Sequence, residues 1–70
     1  MNPDINLEEQ LYLAASINTI LEARRLDGAF TADQRADIIA KCLRLTELIE
    51  ALDHWITGGG VLPDRWVRIN

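Results

Sequence analysis

The sequence predicts an all-α protein: an antiparallel helical hairpin with a short C-terminal tail, which assembles into a homo-oligomeric helical bundle. Two long segments repeat apolar residues with helical spacing, and the short link from Asp27 to Thr31 separates them. Both segments carry more apolar surface than one neighbouring helix covers, which predicts further helices from other copies. The predicted units are a single domain over residues 1–70, helices at 7–26 and 32–57, and a tail at 58–70.

The length of the chain limits how stable one copy can be alone. Its 70 residues make one domain at most, and such a domain buries a small share of its surface. Disulfides, a metal or a second copy usually stabilise domains of this size. The single cysteine, Cys42, excludes an internal disulfide and favours a reducing compartment.

Charge and hydropathy indicate a cytoplasmic protein that binds neither nucleic acid nor membrane. The formal net charge is -4, whereas a general nucleic-acid binder needs clustered lysine and arginine to neutralise phosphates. The first residues lack a basic region followed by a long apolar core, so we expect no signal peptide. No run approaches the ~18 consecutive apolar residues of a membrane span.

The first helix is predicted to start at Leu7, with Asn6 as its N-cap and Glu9 as the reciprocal partner. Two arginines in its last turn suit the exposed carbonyl groups, and Gly28 ends it. Its apolar residues form a surface broader than one stripe: Leu7, Leu11, Leu13, Ala14, Ile17, Ile20 and Leu21. This breadth predicts contacts with more than one neighbouring helix.

The second helix carries a heptad-spaced apolar seam. Thr31 caps its start with Gln34 as the capping-box partner, and Gly58 is predicted to end it in the left-handed conformation. The seam residues follow in alternating steps of four and three: Ile38, Cys42, Leu45, Ile49, Leu52 and Ile56. Leu48 and Trp55 widen this stripe, so a four-helix bundle of two hairpins is predicted rather than a coiled coil.

The tail admits two interpretations. In the first, Leu62, Trp66 and Ile69 fold back near Trp55 as an apolar lid over the open end of the hairpin, because large aromatic side chains in small domains usually serve the core. In the second, the same stretch is a ligand site. The sequence alone leaves both interpretations open.

The ligand interpretation rests on glycine, arginine and tryptophan concentrated in one segment of an acidic protein. Consecutive glycines let backbone N–H groups approach an anion, Arg65 and Arg68 can bind phosphate, and the tryptophans can stack on a ring. The glycines follow a helix C-terminus, whose dipole repels anions, and this opposes the interpretation. The candidate ligand-binding residues are Trp55, Gly58, Gly59, Gly60, Arg65, Trp66 and Arg68.

Catalysis, a cofactor and a metal site all lack support in the sequence. Cys42 is predicted to be buried on the seam, and His54 lies twelve residues away, about 18 Å along one helix, too far for a catalytic dyad. Glu47, Glu50 and His54 have helical spacing but flank the seam, so a solvated charged face is the preferred interpretation. We therefore predict a protein that is not an enzyme.

The stretch from Leu52 to Trp66 reads Leu-Asp-His-Trp-Ile-Thr-Gly-Gly-Gly-Val-Leu-Pro-Asp-Arg-Trp. It resembles the closing pattern of small uncharacterised helical proteins of phages and mobile elements, in which a Trp-apolar helix end precedes glycines, Leu-Pro and a second tryptophan. The resemblance covers the C-terminal third of the chain and transfers no catalytic residue. It implies a phage-type protein of the host-cell cytoplasm that acts stoichiometrically against host defence.

Two functions from different classes follow, and ligand sequestration is placed first. It is a non-catalytic oligomer that binds a phosphate-bearing small molecule, such as a host-defence signalling nucleotide, between the tail and a neighbouring chain's helix. The alternative is a protein–protein inhibitor or adaptor, similar in action to anti-CRISPR proteins, that uses its acidic face or its surplus apolar surface.

Overall fold

The fold is an all-α helical hairpin, as predicted. The computed structural model describes residues 1–67 and contains α1 (Pro3–Asp27), α2 (Ala32–Thr57) and the short α3 (Asp64–Val67). The two long helices pack side by side in antiparallel directions, and no strand occurs in the described part of the chain. The Cα atoms span 44 × 28 × 14 Å, so the hairpin is a slab one helix thick.

Helix α1 begins four residues earlier than predicted, and the assignment of Asn6 as its N-cap is wrong. Asn2 is the cap: its side-chain oxygen accepts hydrogen bonds from the backbone N–H groups of Asp4 and Ile5, at 2.9 and 3.2 Å. Pro3 occupies the first helical position, where its fixed φ and missing N–H cost nothing. Asn6 is instead a buried residue inside the helix, 6% exposed.

The link between the long helices uses the predicted signals. Gly28 ends α1 in the left-handed conformation, with a φ of 84°, and its N–H donates to the Arg24 carbonyl at 2.6 Å. The Arg24 guanidinium lies 5.3 Å from the centre of the Phe30 ring, a cation–π contact that fastens the link to α1. Thr31 and Gln34 form both hydrogen bonds of the predicted capping box.

The other end of α2 differs from the prediction by one residue. Gly58 has a φ of -81°, and its N–H donates to the His54 carbonyl at 3.0 Å, which continues the helical pattern. Gly59, with a φ of 96°, takes the left-handed conformation that was predicted for Gly58. Because three glycines follow one another, each can adopt this conformation, and the sequence does not distinguish among them.

The core between the helices is small. The buried apolar side chains are Leu7 and Leu13 of α1 and Leu48 and Leu52 of α2, each 3 to 7% exposed. Asn6 lies in the same line and is satisfied: its amide donates to the Leu48 carbonyl at 3.0 Å. Its side-chain oxygen accepts from the Gln10 amide at 2.7 Å. The polar group is therefore buried at little cost.

The side of α2 that packs against α1 is rotated about the helix axis from the predicted seam. The buried or half-buried residues follow a different heptad series: Ile38, Lys41, Leu45, Leu48, Leu52 and Trp55. The predicted burial of Cys42 is wrong, since this residue is exposed, and Ile49 is 51% exposed. Alternate members of the predicted seam belong to both series, so the sequence pattern alone did not show which side α1 would cover.

The tail folds back over the open end of the hairpin. Pro63 is fully buried, and the N–H of Asp64 donates to the Asp4 carboxylate of α1 at 2.7 Å. Leu62 and Trp66, the predicted lid residues, remain 42% and 52% exposed. The third predicted lid residue, Ile69, lies outside the described residues.

Candidate functional site

The slab has two broad faces with different chemistry. An ion pair crosses the first, which we call the polar face and define by Glu9, Arg44 and Glu47. The Arg44 guanidinium donates to both Glu9 carboxylate oxygens, at 2.7 and 3.0 Å, and to Glu47 at 3.3 Å. These bonds join α1 to α2 across this face. Beside them lies a groove of about 280 Å³, where Ile5 is 61% exposed.

The ion pair shifts the pKa values of Glu9 and Arg44 so that the charged form of each side chain is favoured. Hydrogen bonds from the Arg44 guanidinium lower the pKa of the Glu9 carboxyl, against a smaller opposing effect of desolvation. The same bonds raise the pKa of Arg44 above its ordinary value. Both side chains are partly exposed, so solvent screens the pair and its contribution to stability is modest.

The opposite side is apolar, and we call it the open face. Its α2 stripe contains Cys42, Ile49 and Ile56, which are spaced seven apart, and its α1 stripe contains Leu7, Ala14 and Leu21, spaced in the same way. A groove of about 250 Å³ between the helices is lined by Gln10, Ile49, Leu52, Asp53, Ile56 and Trp66. The tail therefore lies on this face.

Large apolar side chains of the open face are left in solvent. Leu21 is 43% exposed, Ile49 is 51% exposed and Trp66 is 52% exposed. Leu11, at the edge where the tail crosses α1, is 42% exposed. On α2 the apolar stripe runs from Cys42 to Ile56, and Leu21 continues the apolar surface on α1. An exposed apolar patch rimmed by polar side chains is typical of a protein–protein contact surface.

Trp55, a predicted ligand-binding residue, is occupied by the tail. Its indole N–H donates to the Val61 carbonyl at 2.9 Å. Gly60 lies against the indole ring so closely that a Cβ at this position would overlap the ring atoms. Glycine is therefore required at position 60 for close approach of the backbone to Trp55.

The three predicted glycine donors are also occupied. The N–H of Gly58 donates to His54, that of Gly59 to Ile56, and that of Gly60 to Trp55, at 3.0, 3.1 and 2.8 Å respectively. Each acceptor is a carbonyl of the last turns of α2, where carbonyl groups lack partners from a continuing helix. The His54 carbonyl also accepts a hydrogen bond from the Thr57 hydroxyl. In this conformation the glycines close a helix, and their N–H groups do not point to a ligand.

Arg65 lies in acidic surroundings. It lines a cavity of about 530 Å³ with Leu7 and Leu11 and with three carboxylate side chains, those of Asp4, Glu8 and Asp64. The net charge of this group is negative, so a phosphate would be repelled more strongly than it is attracted. Trp66 lies in a different groove, and Arg68 lies outside the described residues.

The residues weighed for catalysis or metal binding do not come together. Cys42, His54, Glu47 and Glu50 are all exposed on α2. Within residues 1–67, no group of three or more histidine, cysteine, aspartate or glutamate side chains is placed to hold a metal ion. Glu47 is instead part of the ion pair with Arg44.

Sequence reasoning missed two residues that hold the tail. Asp4 receives the Asp64 N–H from sixty positions away, and Pro63 is the most deeply buried side chain of the tail. The predicted helix began at Leu7, so Asp4 lay in the predicted lead before the helix and carried no signal of its own. Pro63, between Leu62 and Asp64, indicates a turn but does not indicate which residues it packs against.

Comparisons of the chain with protein-family models, with curated proteins and with solved structures found no match. Neither long helix of the described residues contains a stretch apolar enough to cross a lipid bilayer.

Proposed function

We propose that this protein acts by binding rather than by catalysis, as a self-assembling interaction module whose open face packs against the open face of a second copy. The assembled bundle then presents its charged outer surfaces to a protein partner, in the manner of an adaptor or inhibitor. The observation that supports this proposal is the amount of surface that one copy leaves in solvent.

One copy exposes more surface than its mass warrants. The accessible surface is 5325 Å², whereas a folded monomer of 7.9 kDa exposes about 4,400 Å² on average. The excess is therefore about 900 Å². A stable protein–protein interface buries about 800 Å² on each partner, so one added copy accounts for the difference.

The architecture supports the same conclusion. A domain normally consists of at least two packed layers, and this hairpin is a single layer of two helices. Its core contains only four buried apolar side chains among the described residues. A second hairpin stacked on the open face supplies the missing layer and produces a four-helix bundle.

The adaptor or inhibitor class has more support from the geometry than ligand sequestration. The glycine N–H groups are engaged by α2, the indole of Trp55 is engaged by the tail, and carboxylates surround Arg65. One observation favours sequestration: Trp66 is half exposed, and a ring could stack on it. A small molecule retained by the purified protein would decide for sequestration.

The test is a matched pair of leucine and isoleucine substitutions on α2. Ile49→Asp places a charge on the open face, while Leu43→Asp places the same charge on the side of α2 that faces away from α1, where Leu43 is 63% exposed. An unpaired carboxylate is costly in an apolar interface and costs little in solvent. We expect Ile49→Asp to produce monomers and Leu43→Asp to retain the assembly, measured by size-exclusion chromatography with multi-angle light scattering.

The control for this experiment is the far-ultraviolet circular dichroism of each variant, which should show the helix content of the unmodified chain. Equal masses for the two variants, with helix content unchanged, would remove the open face as the assembly surface. An unmodified chain that is itself monomeric would contradict the proposal directly.

A further inference from the structure

We infer that the two copies pack their open faces with their long axes antiparallel, so that α2 lies on the partner's α2 and the two-fold axis passes close to Cys42. This arrangement rests on the proposed self-association and specifies it. The alternative is a parallel arrangement, in which α2 lies on the partner's α1 and both tails are at the same end of the bundle.

The position of the tail disfavours the parallel arrangement. The tail crosses the open face at one end only, where Pro63 is buried and Trp66 lies beside Leu52 and Ile56. In a parallel dimer the two tails would meet and hold the helices apart. In an antiparallel dimer each tail faces the hairpin end of the other copy, where no segment of residues 1–67 covers the open face.

Charge on the open face favours the antiparallel arrangement as well. Arg35 belongs to the same heptad series as Cys42 and Ile49 and lies near the hairpin turn. Asp53 lines the groove at the tail end of the same face. Neither side chain takes part in an ion pair within residues 1–67.

The antiparallel arrangement brings these opposite charges together. Arg35 of each copy then approaches Asp53 of the partner subunit, once on each side of the axis. The parallel arrangement stacks like ends, which keeps Arg35 at the opposite end of the bundle from the partner's Asp53. The cation at the tail end, Arg65, already lies among three carboxylates of its own chain.

Two estimates place the two-fold axis. The part of α2 outside the groove beside Trp66 runs from Ala32 to about Leu48, and its middle is residue 40. Ile49 and Asp53 line that groove but remain exposed on the open face. Pairing Arg35 with the partner's Asp53 places the axis level with residue 44. At 1.5 Å per residue, both estimates put Cys42 within about 3 Å of the axis along the helix.

Cys42 therefore reports on the arrangement. In the antiparallel dimer the two cysteines face each other across the interface, offset along the helices by at most about 6 Å. Cα atoms on the facing sides of helices about 8–10 Å apart are about 3–5 Å apart across the interface, so offsets up to about 5 Å stay within the separation that a disulfide spans. In the parallel dimer the two cysteines lie at the same level but are displaced sideways by one helix spacing, about 8–10 Å, which is too far. Cys42 is exposed in one copy, so its thiol is accessible from the open face.

The experiment is oxidative cross-linking of the full chain at Cys42. Copper-phenanthroline with dioxygen as the oxidant converts two thiols into one disulfide, and the product is resolved by denaturing mass spectrometry without reductant. We expect most of the unmodified chain to become a covalent dimer and Cys42→Ser to form none. Ile49→Asp should lose most of the cross-link, which excludes random collision as its source.

A second cysteine probes the parallel arrangement. The bonds from Asn6 to Leu48 and from Arg44 to Glu9 set the register of the helices and place Ala14 level with about residue 40. In a parallel dimer, Ala14→Cys would join position 14 to the partner's Cys42, as identified by peptide mapping. That product, or a dimer by mass in which Cys42 does not cross-link, would overturn the inference, whereas a monomer by mass would refute the proposed function itself.

Discussion

The polar and open faces of the hairpin differ in how their side chains are used within one chain. On the polar face, Glu9 and Arg44 join α1 to α2 through two charge-assisted hydrogen bonds. On the open face, Leu21, Ile49 and Trp66 remain about half exposed. The ion pair on the polar face acts within one chain, whereas the open face is the proposed contact with a second copy, so substitutions on the two faces should affect different equilibria.

The largest effect is expected for the core line that separates the faces. Leu52 is 3% exposed, and Leu52→Ala should lower the free energy of unfolding by about 2–5 kcal/mol, because a cavity replaces packed methyl groups. The total stability of a domain of this size is about 3–5 kcal/mol. The substitution should therefore both unfold much of the hairpin and dissociate the assembly. Urea unfolding followed by circular dichroism measures the change.

The exposed Leu43 offers the matched control for this substitution. Leu43→Ala should change the free energy of unfolding by less than about 0.5 kcal/mol, since 63% of this residue is exposed. Equal losses for the two alanine variants would contradict the assignment of the core line.

An intermediate effect is expected where the tail is fastened to the open face. Gly60→Ala would force a methyl group into the Trp55 indole and should cost about 1–3 kcal/mol of local stability. The tail should then detach, and the Asp64 N–H and the Trp55 indole N–H should lose their protection from hydrogen exchange, as measured by nuclear magnetic resonance.

The adjacent exposed residue serves as the control for the tail. Val61 is 70% exposed, and Val61→Ala should leave the protection of both N–H groups unchanged. Retained protection in Gly60→Ala would show that the tail is not held through the contact of Gly60 with Trp55.

The smallest effect is expected on the polar face, and it depends on pH. Because the pKa of Glu9 is lowered in the folded protein, its contribution to stability is present above the unfolded pKa and is lost as the pH falls through the folded pKa. Glu9→Gln should therefore destabilise slightly at pH 7 and not at all at a pH below the lowered value. Thermal unfolding of both proteins at the two pH values measures the difference.

The assembly should be insensitive to that change, because Glu9 lies on the face away from the proposed contact. A Glu9→Gln variant that dissociates at pH 7 while keeping its helix content would place the polar face in the interface and reverse the assignment of the two faces.

Local signals predicted the elements of this fold well. Thr31 with Gln34 and the turn glycine Gly28 are read from neighbouring residues, and each has the predicted geometry. The sequence offers two possible starts for α1, because both Asn2 and Asn6 are good cap residues. Pro3 directly after Asn2 favours the earlier start, since proline suits the first helical position.

The contacts between distant parts of the chain were harder to predict. Ile38, Leu45 and Leu52 belong to two overlapping heptad series, so periodicity identified the helix but not the side that α1 covers. The bond between Asp64 and Asp4 joins opposite ends of the chain, and nothing near either residue indicates it. The composition of the tail indicates candidate ligand residues such as Gly60. It does not indicate their contacts, which depend on how the tail folds back against α2.

Native mass spectrometry of the unmodified chain, purified without added ligand, shows whether a second copy covers the open face. We expect the mass of two chains with no additional mass of nucleotide size. A single chain at concentrations up to the millimolar range would contradict it, and a dimer that carries a small molecule would move the function to ligand sequestration.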